Sequence, residues 1–563
     1  MLSLKHRLLG GAALALTAVA TSTGALAYAS GDVFAGGAAL PAPDFRIRLD
    51  CYALPTELII KGTPPQFKQL PPFNYVAGKK SQDCSTKHII NNATIYYVSA
   101  TSGSGILAEF SHDPTFYGHV DHGDSQYFPS VQFAVSETPL GPTDVGIWDN
   151  GGTETQGSQS VTVVAPGQDV GQGQYPSPYE HYGQVVQFPM SVDPLTIAYD
   201  PTYEKVLNAD STITSYHFHI KYTRKDDSGG LRLDAPTYCK IFNGQITNWN
   251  DPALKALNGN QSLKDPADPT SEGAWSVPLQ IVGRSDSAGA TAIFTRHLAK
   301  VCENLSGNQY ADGASTLPAG LRGPTYNVQN PNYPPVSGET LGKFTLAPGM
   351  DGVAKYIAFT ATPGGSNPDK IILGRVTYLS TDYVLPYVLE TGQNSYNLNT
   401  ATLKNASGKF IAPNAASARA SFGSLQPPQS DANGHYDSGN IQNGLRTNPQ
   451  DWSQPISKTA FIANPTAKKG YPLVGTANFI GYTCYQSADK TKTILGLLKY
   501  GDTAAINTDG QKGILAVSGM SPLPKYWYTA IEETFVNNSA GIGININTAG
   551  QPGPCSAQGI TGG

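Results

Sequence analysis

Hydrophobic and polar residues change their spacing along this chain, and the change predicts two kinds of element. Short apolar runs bounded by turn residues are typical of buried strands, whereas apolar residues every three or four positions are typical of helices. Because the two kinds of segment alternate, the chain is predicted to be an α/β protein. The predicted strands are 32–40, 95–98, 131–135, 185–188, 195–199 and 278–282, and the predicted helices are 106–110, 236–242, 289–301, 352–359 and 493–498.

Long polar stretches rich in Gly, Pro, Ser and Asn separate these elements. They cover residues 111–130, 146–183, 305–348 and 390–450. Loops of this length are uncommon in compact domains. We therefore interpret them as insertions on a smaller α/β core rather than as separate domains.

The first 29 residues have the pattern of a secretory signal peptide. Lys5 and Arg7 precede an apolar run at 8–19, and small residues at 25–29 fit a cleavage site. The run is shorter than the roughly 20 residues that span a bilayer. No cysteine follows it closely, so we expect no lipid anchor. The mature chain is predicted to be periplasmic or secreted, without a membrane span.

Charge and cysteine content limit the possible partners. Only 14% of residues are charged and the net charge is -5, so a basic surface for nucleic acid is not expected. The six cysteines form no CxxC pair, which argues against a thiolate metal site. Export would place them in an oxidising compartment. Sequential pairing is the simplest arrangement, although spacing alone leaves other pairings open. The cysteines are Cys51, Cys84, Cys239, Cys302, Cys484 and Cys555.

Three Gly-rich turns come directly before segments predicted to be helical, at 36–41, 101–105 and 284–291. The free N–H groups and the dipole at a helix start favour a bound anion. Arg284 in the third turn adds a guanidinium that can hold an oxyanion with two hydrogen bonds. Taken singly, each turn is typical of an ordinary connection. Taken together, they indicate an anion site.

Together with other motifs, these turns resemble the phosphate-binding protein family of ABC transporters, and especially its DING branch. The start at 32–41 keeps the Asp, the paired Gly and the Leu-Pro of the branch but lacks its Ile-Asn-Gly. The strongest match is CKIFNGQITNWN at 239–250. The other matching stretches, in the family's order, are 133–140, 284–295, 471–479 and Cys484 with Tyr485.

The resemblance implies a two-lobed type II periplasmic-binding-protein fold with long loop insertions. Two α/β lobes would be joined by crossovers near 186–195 and 471–476, with the ligand in the cleft between them. It also implies disulfides Cys239–Cys302 and Cys484–Cys555, which would leave Cys51 to pair with Cys84. The predicted segments are a signal peptide at 1–29, lobe I at 30–190, lobe II at 191–470 and a return to lobe I at 471–563.

The resemblance also implies which residues contact the ligand. Leu40 would offer its backbone N–H, and Ser102 its hydroxyl. Glu137 falls where the family has an Asp that accepts the proton of phosphate and so excludes sulfate. Arg284 and Asp286 match an ion-paired Arg and its acidic partner. The full predicted set is Leu40, Ser102, Glu137, Arg284, Asp286, Ala288, Gly289 and Ala290.

Three positions depart from the family's pattern, because Ala39, Ala288 and Ala290 stand where hydroxyl residues are expected. Losing three hydrogen bonds to a charged ligand could remove about 4–9 kcal/mol of binding free energy. Glu137 is also one methylene group longer than Asp and would crowd a tight tetrahedral pocket. The hydroxyl groups that could compensate are those of Thr101, Ser285, Ser287 and Thr291.

The predicted function is therefore that of an exported solute-binding protein for phosphate or a related oxyanion, which delivers its ligand to an ABC permease. It needs no cofactor and is predicted not to be an enzyme. One alternative is a secreted or surface DING-like protein with an adhesive or structural role. Another is a weak phosphatase that uses Ser102, Glu137 and Asp286.

One inserted loop contains several possible metal ligands. His and carboxylate side chains can bind a transition metal when they converge. We interpret this loop as an ordinary solvated segment and predict no metal site. Its residues are His112, His119, His122, Asp113, Asp121 and Asp124.

Overall fold

The computed structural model describes most of the chain. In the described part, no helix combines the length and apolar character that crossing a membrane requires. The predicted signal peptide, up to residue 27, and Cys84 lie outside it. The signal peptide and the Cys51–Cys84 pairing therefore stay predictions. The described residues are 28–54, 57–60, 66–69, 89–117, 119–120, 123–124, 128–223, 229–323, 325, 344–384, 396–423, 425–428, 444–452, 462–501, 515, 519–557 and 559–563.

Strands and helices alternate along the described chain, as the sequence pattern predicts. The strands are β1 (Val33–Gly37), β2 (Glu57–Ile60), β3 (Gln66–Gln69), β4 (Ile95–Ser99), β5 (His119–Val120), β6 (Gly123–Asp124), β7 (Phe133–Ser136), β8 (Gly152–Gln156), β9 (Gln159–Val163), β10 (Val185–Tyr199), β11 (Thr202–Leu207), β12 (Ile213–His217), β13 (Gly229–Leu233), β14 (Leu279–Arg284), β15 (Phe344–Ala347), β16 (Lys370–Ile372), β17 (Gly374–Ser380), β18 (Asn399–Lys404), β19 (Phe410–Ile411), β20 (Val474–Tyr482), β21 (Cys484–Tyr485) and β22 (Asn547–Thr548). The helices are α1 (Ala42–Tyr52), α2 (Ser102–Ser111), α3 (Pro142–Asn150), α4 (Pro178–Tyr182), α5 (Ala235–Phe242), α6 (Pro252–Leu257), α7 (Gly289–Val301), α8 (Gly349–Ile357), α9 (Ala415–Phe422), α10 (Pro449–Trp452), α11 (Ala488–Tyr500) and α12 (Lys525–Ile531).

The main sheet has the order β15-β14-β17-β10-β20-β7-β1-β4, with β13, β18 and β19 attached beside β10. Its two ends are parallel: β1 pairs in parallel with β4 and β7, and β14 with β15 and β17. The strands between them, β10 and β20, run antiparallel to their neighbours. In each parallel end, the following helices begin at the carboxyl ends of the strands, which is where ligands bind in α/β sheets.

Strand β10 belongs to both halves of the sheet. It pairs with β20 up to Pro194 and with β17 from Leu195 onward. The prediction of two separate strands at 185–188 and 195–199 is therefore wrong. Two prolines and a bulge between Pro189 and Ser191 interrupt the apolar pattern, although all 15 residues of β10 are buried. The change of partner joins the two lobes. The predicted lobe bounds remain a proposal.

All four predicted insertions contain regular structure: 111–130 includes β5 and β6, and 305–348 includes β15, an edge strand of the main sheet. The stretch 146–183 includes the antiparallel hairpin β8–β9. The stretch 390–450 includes β18, which pairs with β10 in the main sheet, and helix α9. Interpreting 390–450 as an insertion outside the core was wrong. Strand β18 has the sequence NTATLK, whose two threonines weaken its apolar signal even though half of its residues are buried.

Aromatic stacking fixes the elements that carry the site. Phe188 on β10 stacks on Phe479 of β20, with ring centroids 4.9 Å apart. In the other lobe, Phe294 of α7 stacks on Tyr378 of β17 at 4.3 Å. The structure contains the disulfide Cys239–Cys302, which ties α5 to the end of α7, and the disulfide Cys484–Cys555. Helix α7 is therefore held on both its sheet face and its C-terminal end.

Candidate functional site

Helices α2 and α7 begin in different lobes and meet at their first residues. Ser102 opens α2 and Gly289 opens α7. A Cβ atom placed on Gly289 would lie 2.1 Å from Oε2 of Glu137 and 2.3 Å from Oγ of Ser102. The backbone of α7 therefore lies directly against two side chains of the opposite lobe, and glycine makes this approach possible.

The predicted Gly-rich turn at 101–105 is itself the first turn of helix α2. Thr101 is the N-cap, and its hydroxyl oxygen accepts the N–H of Ser104 at 3.0 Å. The predicted start of the helix at residue 106 was therefore too late, because a capped glycine-containing segment can be helical when its neighbours bury it. As a result, Ser102 is fixed on a helix rather than on a flexible turn.

Glu137 lies at the centre of the contact. It follows β7 and is buried. Its carboxyl group accepts the N–H of Leu40 at 3.2 Å and the hydroxyl of Ser102, while its own N–H donates to Ser102 Oγ at 3.0 Å. Burial raises the pKa of Glu137, and the bond from Ser102, the charge of Arg284 and the bond from Leu40 only partly oppose this.

Arg284 and Asp286 form the charged pair that the sequence predicts. Arg284 ends β14, and its Nε donates to Asp286 Oδ1 at 3.1 Å while Nη2 donates to Oδ2. Asp286 also accepts the N–H of Gly349 at 3.1 Å. Burial acts to raise the pKa of Asp286, but the charge and hydrogen bonds of Arg284 hold it below its usual value.

Ala288 was predicted to contact the ligand, and with an alanine side chain only its backbone N–H could donate to it, but that group is already used. It donates to the carbonyl oxygen of Ser315 at 2.9 Å inside the second lobe. Gly289 and Ala290 differ, because they are the first helical residues of α7. The first N–H groups of a helix have no acceptor within the helix, so these two remain suited to an anion.

Hydroxyl groups that could replace the missing donors are mostly engaged elsewhere. Thr291 shares a hydrogen bond of 2.7 Å with the hydroxyl of Tyr378. Ser287 donates to Ser315 Oγ at 2.8 Å, and Thr101 caps α2. Ser285 is half-buried at the same turn. Three of the four predicted compensating residues are therefore held by partners inside their own lobe.

Two features near the site were not singled out from the sequence. Tyr378 on β17 contacts Thr291 and accepts the N–H of Arg284 at 3.4 Å. The hairpin β8–β9 brings Gln156 against Gly103 and its turn residue Gly157 against Ser287. The alternating residues of GTETQ and QSVTV around Gly157 are the signal that could have revealed this hairpin.

Further buried polar groups lie behind Glu137. Asp44 and Arg48 of α1 form an ion pair of 2.5 Å, and Asp193 of β10 accepts the hydroxyl of Ser191 at 2.7 Å. Burial raises the pKa of Asp193 well above its usual value, and the nearby carboxylates of Glu137 and Asp44 raise it further. Several carboxyl groups are therefore buried together behind Glu137.

The described residues contain no group of three or more His, Cys, Asp or Glu side chains placed to hold a metal. His112 follows the last residue of helix α2 as its C-cap and stacks on Tyr182, and Asp113 accepts the N–H of Thr115 at 2.9 Å. The side chains of the other four predicted candidates, His119, Asp121, His122 and Asp124, lie outside the described residues.

A two-lobed α/β fold with polar groups converging between the lobes defines a solute-binding protein. A family model for the PBP superfamily domain matches residues 89–487, most of the chain, and the protein belongs to that superfamily. The predicted resemblance and the predicted two-lobed fold class are thereby confirmed.

Individual relatives are distant but extend over most of the molecule. Alkaline phosphatase L of Pseudomonas aeruginosa is 22% identical over 368 residues, which is 64% of this chain and 76% of the relative. A phosphate-binding protein of an unknown prokaryotic organism is 23% identical over 362 residues, 63% of this chain and 79% of the relative. The crystal structure of a DING protein has a TM-score of 0.53 at 18% identity and covers 92% of this chain and 97% of that one. This last likeness establishes the fold.

Proposed function

We propose that this is an exported solute-binding protein that holds phosphate or a related oxyanion between its lobes for uptake by an ABC transporter. One observation carries the proposal. Ser102 at the start of α2 and Gly289 at the start of α7 come from different lobes and both contact Glu137, and the charge of Arg284 acts on the same carboxyl group. The names of the phosphate-binding relatives support the choice of ligand.

The chemistry of the converging groups suits a protonated oxyanion. The first N–H groups of α7 and the positive end of its dipole attract negative charge. Arg284 adds a fixed positive charge, and Ser102 a hydroxyl. Asp286 is an acceptor that a protonated phosphate could satisfy, whereas sulfate at neutral pH has no proton to donate. Selection for phosphate over sulfate follows from this arrangement.

Cellular location and partner follow from the same proposal. The basic and apolar start of the chain supports export to the periplasm or beyond. A binding protein of this class would meet a permease in the membrane, and the surface that the permease contacts would include both lobes. The proposed division is lobe I at 30–190 and 471–563, and lobe II at 191–470.

Calorimetric titration of purified, phosphate-stripped protein tests the proposal. We expect heat with phosphate and arsenate and none with sulfate. Ser102→Ala and Asp286→Ala should each weaken binding by about 10- to 100-fold, because each removes a hydrogen bond or charge at the site. Ser306→Ala, which changes an exposed serine of lobe II, is the control. Absence of heat and of any thermal shift with phosphate, arsenate and phosphate esters would refute the proposal.

A second candidate function is weak phosphatase activity. The hydroxyl of Ser102 is hydrogen-bonded to a buried carboxyl group, an arrangement that can activate an alcohol, and one relative is named alkaline phosphatase L. Hydrolysis of a chromogenic phosphate ester that disappears in Ser102→Ala would favour it. Activity that survives both Ser102→Ala and Glu137→Ala would place the catalyst outside this cleft.

A further inference from the structure

The side chain of Glu137 occupies the space that a bound anion would need. We propose that its carboxyl group is a tethered occupant of the anion site, and that a free oxyanion binds only after this side chain has turned away. The inference rests on the proposed function, since it describes how access to that same site is controlled.

The hydrogen bonds of the site show the carboxyl group in a ligand's position. Leu40 N–H and the Ser102 hydroxyl, which are predicted donors to an oxyanion, both donate to Glu137 instead. Oxygens Oε1 and Oε2 each take one of them. Two donors that a ligand would require are therefore satisfied from within the chain.

The distances across the cleft leave no room for a second group at this point. Oε2 of Glu137 lies only 2.1 Å from where a Cβ of Gly289 would be, so the carboxyl group touches the backbone of α7. Close by, a Cβ on Gly157 would lie 2.9 Å from Cβ of Ser287, a second contact across the cleft. The lobes thus meet around the side chain of Glu137, as they would around a ligand.

Side-chain length makes this contact possible. Aspartate is shorter than glutamate by one carbon–carbon bond, about 1.5 Å. From the end of β7, an aspartate would fall short of helix α7 by about that distance. The extra methylene group of Glu137 therefore allows its carboxyl group to accept the hydrogen bonds of Leu40 and Ser102 and also to contact the start of α7.

Charge also disfavours binding of an oxyanion while the carboxyl group of Glu137 is in the site. Arg284 is already paired with Asp286, and burial of the site weakens screening by solvent and salt. A dianion beside the carboxyl group of Glu137 and the carboxylate of Asp286 would face two acidic groups and one positive group. Binding of an oxyanion and the observed position of Glu137 are therefore alternatives. The apparent affinity is reduced in proportion to the fraction of molecules with an open site.

Three substitutions of Glu137 separate the effect of side-chain length from the effect of charge. Titration with phosphate at pH 7 measures the affinity of each variant. Glu137→Asp shortens the side chain and keeps the charge, Glu137→Ala removes the group, and Glu137→Gln keeps the length without the charge. We expect Asp to tighten phosphate binding at least about tenfold, Ala to tighten it less, and Gln to leave it weak. Glu303→Ala, at an exposed position of lobe II, is the control and should match the wild-type protein.

The result that overturns the inference is weaker binding in both Glu137→Asp and Glu137→Ala than in the wild-type protein. That outcome would make Glu137 an ordinary contact to the ligand. Tightest binding in Glu137→Gln would also overturn it, because charge repulsion rather than length would then control access.

If no variant binds an oxyanion, the proposed function fails. The inference can then still be tested by small-angle X-ray scattering of the ligand-free proteins. We expect the wild-type protein and Glu137→Gln to have the compact dimensions of closed lobes, and Glu137→Ala to have a larger radius of gyration. Equal dimensions in the wild-type protein and Glu137→Ala would refute the tethered occupant, whatever the titrations show.

Discussion

Gly289 allows the first turn of α7 to lie against Glu137 because it has no side chain. Its neighbours in the opposite lobe, Ser102 and Glu137, are both buried. At the scale of single residues, the proposed binding function depends on contacts of a few ångströms. A methyl group here is predicted to affect stability and lobe closure together.

Gly289→Ala should reduce the free energy of unfolding by about 1–3 kcal/mol, because the new Cβ would overlap Glu137 Oε2 and Ser102 Oγ. Urea denaturation measures the change. Gly146→Ala is a matched control in helix α3, where a Cβ would meet nothing within 4 Å. That variant should be neutral or slightly stabilising. An equal loss in both variants would contradict the prediction.

The sequence motifs identified side chains that the fold brings together, but not how each side chain is oriented. Ser102, Glu137, Arg284 and Asp286 meet as the motifs indicate. The compensating role considered for Thr291 fails because its hydroxyl bonds to Tyr378, which is 87 positions away along the chain. A partner so distant in sequence leaves no local signal.

At the scale of secondary-structure elements, the hairpin β8–β9 connects the two lobes. Its turn residue Gly157 has a φ of +64°, a left-handed conformation that favours glycine, and it faces Ser287 of the other lobe. The hairpin belongs to lobe I by its contact with Gly103. It is therefore placed to support the closed arrangement.

Gly157→Ala should weaken closure of the lobes as well as the hairpin. Gly167→Ala is the control, since Gly167 has a φ of +76° but a Cβ there would meet nothing within 4 Å. Both should lose about 1 kcal/mol of stability from the left-handed backbone. Only Gly157→Ala should also increase the ligand-free radius of gyration. A similar increase for Gly167→Ala would mean that the Ser287 contact is not responsible.

Elements with strong periodic patterns were predicted well. Helix α7 spans the predicted residues 289–301, because its apolar stripe packs on one sheet face. Strand β10 was divided and β18 was missed, because prolines and threonines hide their apolar character. Tertiary burial overrides weak local preference in both cases.

At the scale of the whole molecule, His297 links three separate parts of the chain. Its Nε2 lies 3.0 Å from the hydroxyl of Tyr238 on α5, and its Nδ1 lies 2.7 Å from the carbonyl oxygen of Ala463. Burial lowers the pKa of His297 from 6.5 to about 4. The folded protein therefore keeps this ring neutral while the unfolded chain can take up a proton.

Stability should fall as pH is lowered from 6.5 to about 4, because the unfolded state binds a proton at His297 before the folded state does. The loss from this group should total roughly 3 kcal/mol over that window. Urea denaturation across the window measures it. His297→Gln should show a flatter dependence, whereas His219→Gln, at an exposed position, should keep the wild-type slope. Parallel curves for all three proteins would contradict the prediction.

The sequence by itself determined the α/β class, the order of the family motifs and the residue types available for an anion site. These depend on local periodicity and on short motifs, which neighbouring residues specify. Only the tertiary structure decided that Ala288 donates to Ser315, that Thr291 bonds to Tyr378, and that Glu137 reaches α7. Those contacts join residues far apart in the chain, so their geometry is set by how the lobes pack.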